Sequence, residues 1–160
     1  MNPPDLIGSA RLLGAWSWSA ARTFEVVGNW VRDEPDPEVK IQFFAHSRRR
    51  GAHSISLAGL LPIIAGSDPA DWIAPIDDRD PALFESMARL DGTLERLGSL
   101  YEELLPREIA EYRGFLSSSY SLADMPAIRI VAAIMADQQQ DLQVGTMLTG
   151  VITSVASEGP

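Results

Sequence analysis

Apolar residues recur along the chain in four long helical stripes, separated by breaks rich in proline and aspartate. In the first, Leu13, Trp16, Ala20, Phe24, Val27 and Val31 follow one another at steps of three or four, which predicts a helix over residues 6–32. It closes at Asp33-Glu34-Pro35. Asp36 then stands as an N-cap with Pro37 at the first helical position and Glu38 in the first turn, opening a second helix over 37–61 that stops before Pro62. Residues 63–80 mix Gly66, Pro69, Trp72, Pro75 and several aspartates, and read as a long connection with at most a short helical turn.

Asp80-Pro81 repeats the cap-then-proline signal and opens a third helix over 81–117, with the stripe Leu83, Met87, Leu90, Leu94, Leu97, Tyr101, Leu105 and Tyr112. Pro106 falls inside that stripe. It cannot donate to the carbonyl of Glu102 and clashes with it, so a kink or bulge is expected there, which reads first as a long helix bending around its core and second as a mark of a functional site. Ser117 to Ser119 read as the loop beyond. Asp124 and Pro126 start a fourth helix over 125–153 carrying Val131, Ile134, Met135, Leu142, Leu148 and Ile152, followed by a frayed tail. Helices of this size would be roughly 40 Å or longer, and similar lengths pack best side by side. The expected fold is therefore all-α: one domain, an antiparallel four-helix bundle with a long connection between its second and third helices.

With 160 residues, 46% of them hydrophobic, the chain can build one core. Its net charge of -9 argues against a nucleic-acid partner, which needs a concentrated positive field, and Arg48-Arg49-Arg50 is too short a cluster to reverse that. No run of about 20 apolar residues spans a bilayer, and the first residues lack the pattern of a secretory signal, so no membrane is expected and the cytoplasm is the expected location. The absence of cysteine removes thiolate sites, disulfides and cysteine nucleophiles. Any metal would need carboxylates and the two histidines, His46 and His53.

Two polar stripes interrupt the apolar faces. In the fourth helix Gln138 and Asp141 follow Ile134 at helical spacing and turn inward, beside Asp137. In the second, His46, Arg49 or Arg50, His53 and Ser56 share a face that points either to the interior or to a second subunit. Trp16, Trp18 and Trp30 do not share one stripe, so at least one is expected to be partly exposed or held in a subunit contact, and a homodimer is the natural account.

Three segments carry a family resemblance: Pro35-Asp36-Pro37-Glu38-Val39-Lys40, Leu105-Pro106-Arg107 leading to Tyr112-Arg113, and Ala123-Asp124-Met125-Pro126-Ala127-Ile128-Arg129. With the order of helices, they resemble the ferritin-like superfamily, in particular a small actinobacterial-type branch. Diiron members of that superfamily place one Glu on each of two helices and a Glu-x-x-His pair on each of the others. Carried onto this chain, the resemblance gives Arg50-x-x-His53 in the second helix and Gln138-x-x-Asp141 in the fourth, with Glu25 the interior-leaning carboxylate of the first and Glu102, Glu103 or Glu108 that of the third. Glutamine is a weak neutral ligand and arginine cannot shed its proton to bind a metal.

The resemblance thus implies a degenerate diiron site, with no cofactor favoured and Arg50 paired to Asp141 or to a third-helix glutamate in place of metal. The residues at issue are an interior network of Arg50, Gln138 and Asp137, with Glu25, His53, Tyr101, Glu102 and Asp141 as candidates for acid–base work. The expected function is that of a metal-independent protein that binds a small molecule or serves a biosynthetic pathway as an accessory. The alternatives are an iron or manganese oxidase or oxygenase holding its ion through Glu25, His53, Glu102 and Asp141, and a structural helical module.

Overall fold

Asp36 shows why the chain turns where it does: its side chain accepts from the backbone N–H groups of Glu38 and Val39, at 2.9 and 3.0 Å, and so caps the second helix. The computed structural model describes residues 6–63, 65–119 and 124–157, and every regular element among them is helical. Helix α1 spans Leu6–Asp33 and α2 spans Pro37–Ala58. The short turn between them folds α2 back along α1, the most extensive packing in the molecule. Helix α2 is shorter than expected. It ends at Gly59, whose N–H closes on Ile55, and residues up to Leu61 form turns.

The connection holds one 3-10 turn, Pro69–Trp72, capped by Asp68. It lies against α1 so closely that a Cβ on Gly14 would collide with the Trp72 carbonyl. The anticipated third helix is broken. Helix α3 (Arg79–Ala88) starts one residue before Asp80 and packs on α1, while α4 (Thr93–Gly98) begins only after the turn around Arg89–Gly92. Asp91-Gly92 is the local breaker, and polar contacts stabilise the break. Arg96 Nε donates to the Leu90 carbonyl at 2.9 Å, and Thr93 Oγ1 donates to buried Glu34 in the α1–α2 turn at 2.7 Å.

Beyond α4 the chain continues through a π-helical turn, Ser99–Leu104, into α5 (Leu105–Ser118). The Leu105 N–H donates to Leu100, five residues back. This is the bulge that Pro106 requires, since its nitrogen has no hydrogen to give. Helix α6 runs over Met125–Ser157, so its C-terminal turn extends past the expected end at residue 153; residues 158–160 of the expected tail, and Ala123 of the third resemblance segment, lie outside the described residues. Helices α2, α4 and α5 all pack on α6.

Two apolar clusters divide the interior. One, around Val27, Phe43, Met87, Leu97 and Leu104, fills the end near the α1–α2 turn; the other, around Leu13, Trp16, Leu57, Phe115 and Ile134, fills the opposite end. Each fully buried side chain of this size contributes about 1.5–3 kcal/mol. Trp16 and Trp30 belong to these clusters, whereas Trp18 is partly exposed and meets Phe84 edge-on at 5.6 Å. No helix among the described residues is long and apolar enough to cross a membrane.

Candidate functional site

Between the two apolar clusters lies a belt of buried polar side chains. Helix α2 supplies the largest share of it, because Gln42, His46, Arg50 and His53 fall at steps of three or four and are all turned inward. The α2 stripe therefore faces the interior rather than a second subunit, although Ser56, its last expected member, is exposed.

Arg50 is completely buried and its Nη2 donates to Glu108 Oε1 at 2.7 Å. Glu108, also buried, accepts from Ser19 Oγ at 2.6 Å and from Gln138 Nε2 at 2.8 Å, so four elements of the chain meet on one carboxylate. Thr23 stands one turn beyond Ser19 and takes a longer contact from Arg50, at 3.4 Å. Tyr112 borders the pair, where burial first and the Glu108 charge second push its hydroxyl far above the usual tyrosine range. A guanidinium paired with a carboxylate at this depth is charge-neutral only as a unit.

The second centre is Asp141. It accepts from Gln42 Nε2 at 3.1 Å and from Arg49 Nε at 3.0 Å, and Arg49 Nη2 makes a further contact with it. His46 Nδ1 lies 3.2 Å from the Tyr101 hydroxyl and 4.0 Å from Asp141. Burial, followed by the charges of Arg50 and Arg49, holds His46 well below the ordinary histidine range. Burial likewise keeps the Tyr101 hydroxyl protonated far above its usual range. His53 completes the belt: its Nε2 lies 2.8 Å from Asp137 Oδ2, whose side chain is half exposed, and burial again lowers the imidazole, opposed by Asp137.

Of the anticipated site residues, His53, Tyr101, Asp141, Arg50, Gln138 and Asp137 belong to this belt. Glu25 and Glu102 do not. Glu25 is exposed and paired with Arg22 on the outer face of α1, because its angle lies beyond the edge of the buried stripe. Glu102 and Glu103 are exposed on the π-helical turn, and Glu108 is the third-helix carboxylate that faces inward. The four-residue metal set of Glu25, His53, Glu102 and Asp141 is therefore not brought together.

A diiron centre does not fit the residues present. Among the described residues no three His, Asp or Glu side chains group as a metal-holding set, and a guanidinium donates to Glu108, which a metal would otherwise need. Sequence reasoning does not single out Gln42, Ser19 or Thr23. Gln42 continues the polar spacing one turn before His46, and Ser19 and Thr23 are the small polar pair at i, i+4 on α1; those spacings are the available signal.

A cleft of about 100 Å³ reaches the belt from the surface, between α1, the connection and α5, lined by Trp16, Ser19, Asp80, Arg107, Glu108 and Glu111. Trp16 Nε1 donates to Glu111 at 3.0 Å, and Arg107 pairs with Asp80 at 2.7 Å. Burial, reinforced by the charge of Glu108 one turn away, raises the Glu111 carboxyl above its usual range.

No family model, curated protein or solved structure matches this chain.

Proposed function

We propose that this chain is a ferritin-like four-helix bundle in which an arginine–glutamate pair takes the place of a metal centre. In this reading α1, α2, the joined α4–α5 rod and α6 are the four members, with α3 an outlying arm. The observation that carries it is the Arg50–Glu108 contact of 2.7 Å, made from the second-helix position where the family pattern asks for a ligand. Gln138, at the corresponding position of α6, donates to the same carboxylate.

The function that fits this interior is metal-independent: binding of a small polar molecule, or an accessory role in biosynthesis, in the cytoplasm. The cleft that ends on Glu108 supports access for such a molecule, and Glu111 at its side offers a carboxyl of raised proton affinity for acid–base work. The oxidase and structural-module readings lack a corresponding observation.

Cobalt(II) titration tests the reading, since bound cobalt reports its coordination by visible absorption. The wild-type chain is expected to show no new band, whereas the double variant Arg50→Glu, Gln138→Glu, which restores carboxylates at both positions, is expected to gain one. Stoichiometric cobalt on the wild type that disappears in His53→Ala would overturn the proposal.

A further inference from the structure

The polar belt contains more hydrogen-bonding capacity than its own side chains use. Six buried atoms on five residues make no hydrogen bond of good geometry among the described residues: His46 Nε2, His53 Nδ1, Arg50 Nε and Nη1, Gln138 Oε1 and the Tyr112 hydroxyl, the last of which faces the Arg50 guanidinium without closing on it. All five side chains are more than nine-tenths buried, so bulk solvent does not reach them.

These atoms belong to one neighbourhood centred on Arg50. His46 and His53 both feel the Arg50 charge from one turn away on the same helix, Tyr112 feels it from α5, and Gln138 shares the Glu108 carboxylate with it from α6. Buried polar groups in folded proteins are almost always satisfied, and leaving six of them dry in one place would cost a large part of a domain's marginal stability.

The inventory also says what would satisfy them. Arg50 offers only donors, and Gln138 Oε1 only accepts. A neutral imidazole contributes one nitrogen of each kind, and a tyrosine hydroxyl does both. A halide would serve Arg50 and strand Gln138; a metal cation would face the guanidinium. Only a molecule that both donates and accepts matches the set. The open clefts of about 580 and 510 Å³ lie elsewhere, beside Trp72 and beside Ser86, and do not reach these atoms.

We infer that the bundle interior holds a buried hydration site of about two ordered waters, bound between Arg50, Gln138, Tyr112 and the unpaired nitrogens of His46 and His53. The number follows from the six unmet atoms and the roughly three hydrogen bonds that a buried water makes. His53 stands at its edge. Its other nitrogen bonds half-exposed Asp137, so His53 links these waters to a carboxylate at the surface and offers them a path for proton exchange.

Magnetic relaxation dispersion of deuterium and oxygen-17 in water counts long-lived internal waters on the intact chain in solution. The wild type is expected to show about two, Arg50→Met none, and Tyr112→Phe, which only removes a hydroxyl, fewer than the wild type. A count of zero in the wild type would overturn the inference, as would a count unchanged in both variants, which would place the waters elsewhere. Should Arg50→Met not fold, Tyr112→Phe decides alone. Electron density at Arg50 Nε and Nη1 in a high-resolution crystal must then be water-sized; a larger molecule there would contradict the assignment. Neither outcome depends on whether the chain binds metal, so this test stands or falls apart from the proposed function.

Discussion

Arg50 of α2 and Glu108 of α5 meet at 2.7 Å with both side chains excluded from solvent, and the rest of the polar belt is arranged around them. Removing one partner of such a pair strands the other charge, whereas replacing both by apolar groups removes the desolvation penalty as well. Arg50→Met is therefore expected to destabilise the fold by about 3–5 kcal/mol, and the double variant Arg50→Met, Glu108→Leu to recover most of that loss. Urea denaturation of the three proteins measures it. Equal stability of wild type and Arg50→Met would mean that the pair is not closed in solution.

The histidines give the fold a pH dependence whose sign can be worked out. His46 and His53 are held below their ordinary value of 6.5, so the folded state keeps them neutral while the unfolded chain takes up their protons. Below pH 6.5 the unfolded state binds more protons, and stability falls as pH falls, by up to about 1.4 kcal/mol per pH unit for each histidine. The groups acting on His46 are Tyr101, Asp141, Arg50, Arg49 and His53. Denaturation midpoints followed from neutral pH down toward 5 should drop more steeply in the wild type than in His46→Gln. Parallel profiles would show that His46 is not kept neutral by the fold.

Two glycines of α6 separate packing from helix propensity. A Cβ on Gly145 would run into the Tyr101 ring, and that ring is buried against His46, so Gly145→Ala is expected to cost about 1–3 kcal/mol through overpacking. Gly150 has nothing within 4 Å, and Gly150→Ala should stabilise by about 0.5–1 kcal/mol. Thermal melts of both variants check the contrast. A tolerated Gly145→Ala would mean that α6 and the π-helical turn stand further apart in solution.

The outer face of α2 leaves Ile41, Phe44 and Ile55 exposed, with Phe24 of α1 packed over Gly51 beside them. Exposed apolar side chains of this size, with Arg48 lying over the Phe44 ring between them, are what a self-complementary contact would cover. Sedimentation is expected to show a dimer that Phe44→Glu converts to a monomer. A wild type that remains monomeric at high concentration would remove the homodimer from the account.

Much of this architecture is legible in the amino-acid sequence. The Asp36-Pro37 cap, the inward turn of Gln138 and Asp141, and a distortion at Pro106 all follow from side-chain chemistry and spacing, and each is present. The break between α3 and α4 is hidden because Leu83, Met87, Leu90, Leu94 and Leu97 keep a helical period across Asp91-Gly92, which alone signals the stop. The choice among Glu102, Glu103 and Glu108 is hidden for another reason. A π-helical turn changes the angle per residue, so the phase carried from Leu97 to Glu108 cannot be counted at 3.6 residues per turn. His46 and His53 share one polar stripe in the sequence, yet His46 is the more deeply buried, because one helical step decides between a rim and a centre.

The central proposal is that an ion pair occupies the place where diiron ferritin-like bundles hold metal, and metal content tests it most directly. Protein expressed in medium supplemented with iron and manganese, purified without chelators and analysed for both elements, is expected to carry far less than one equivalent, with no difference between wild type and His53→Ala. Near-stoichiometric iron or manganese in the wild type, lost in His53→Ala, would contradict the account and return the belt to metal chemistry.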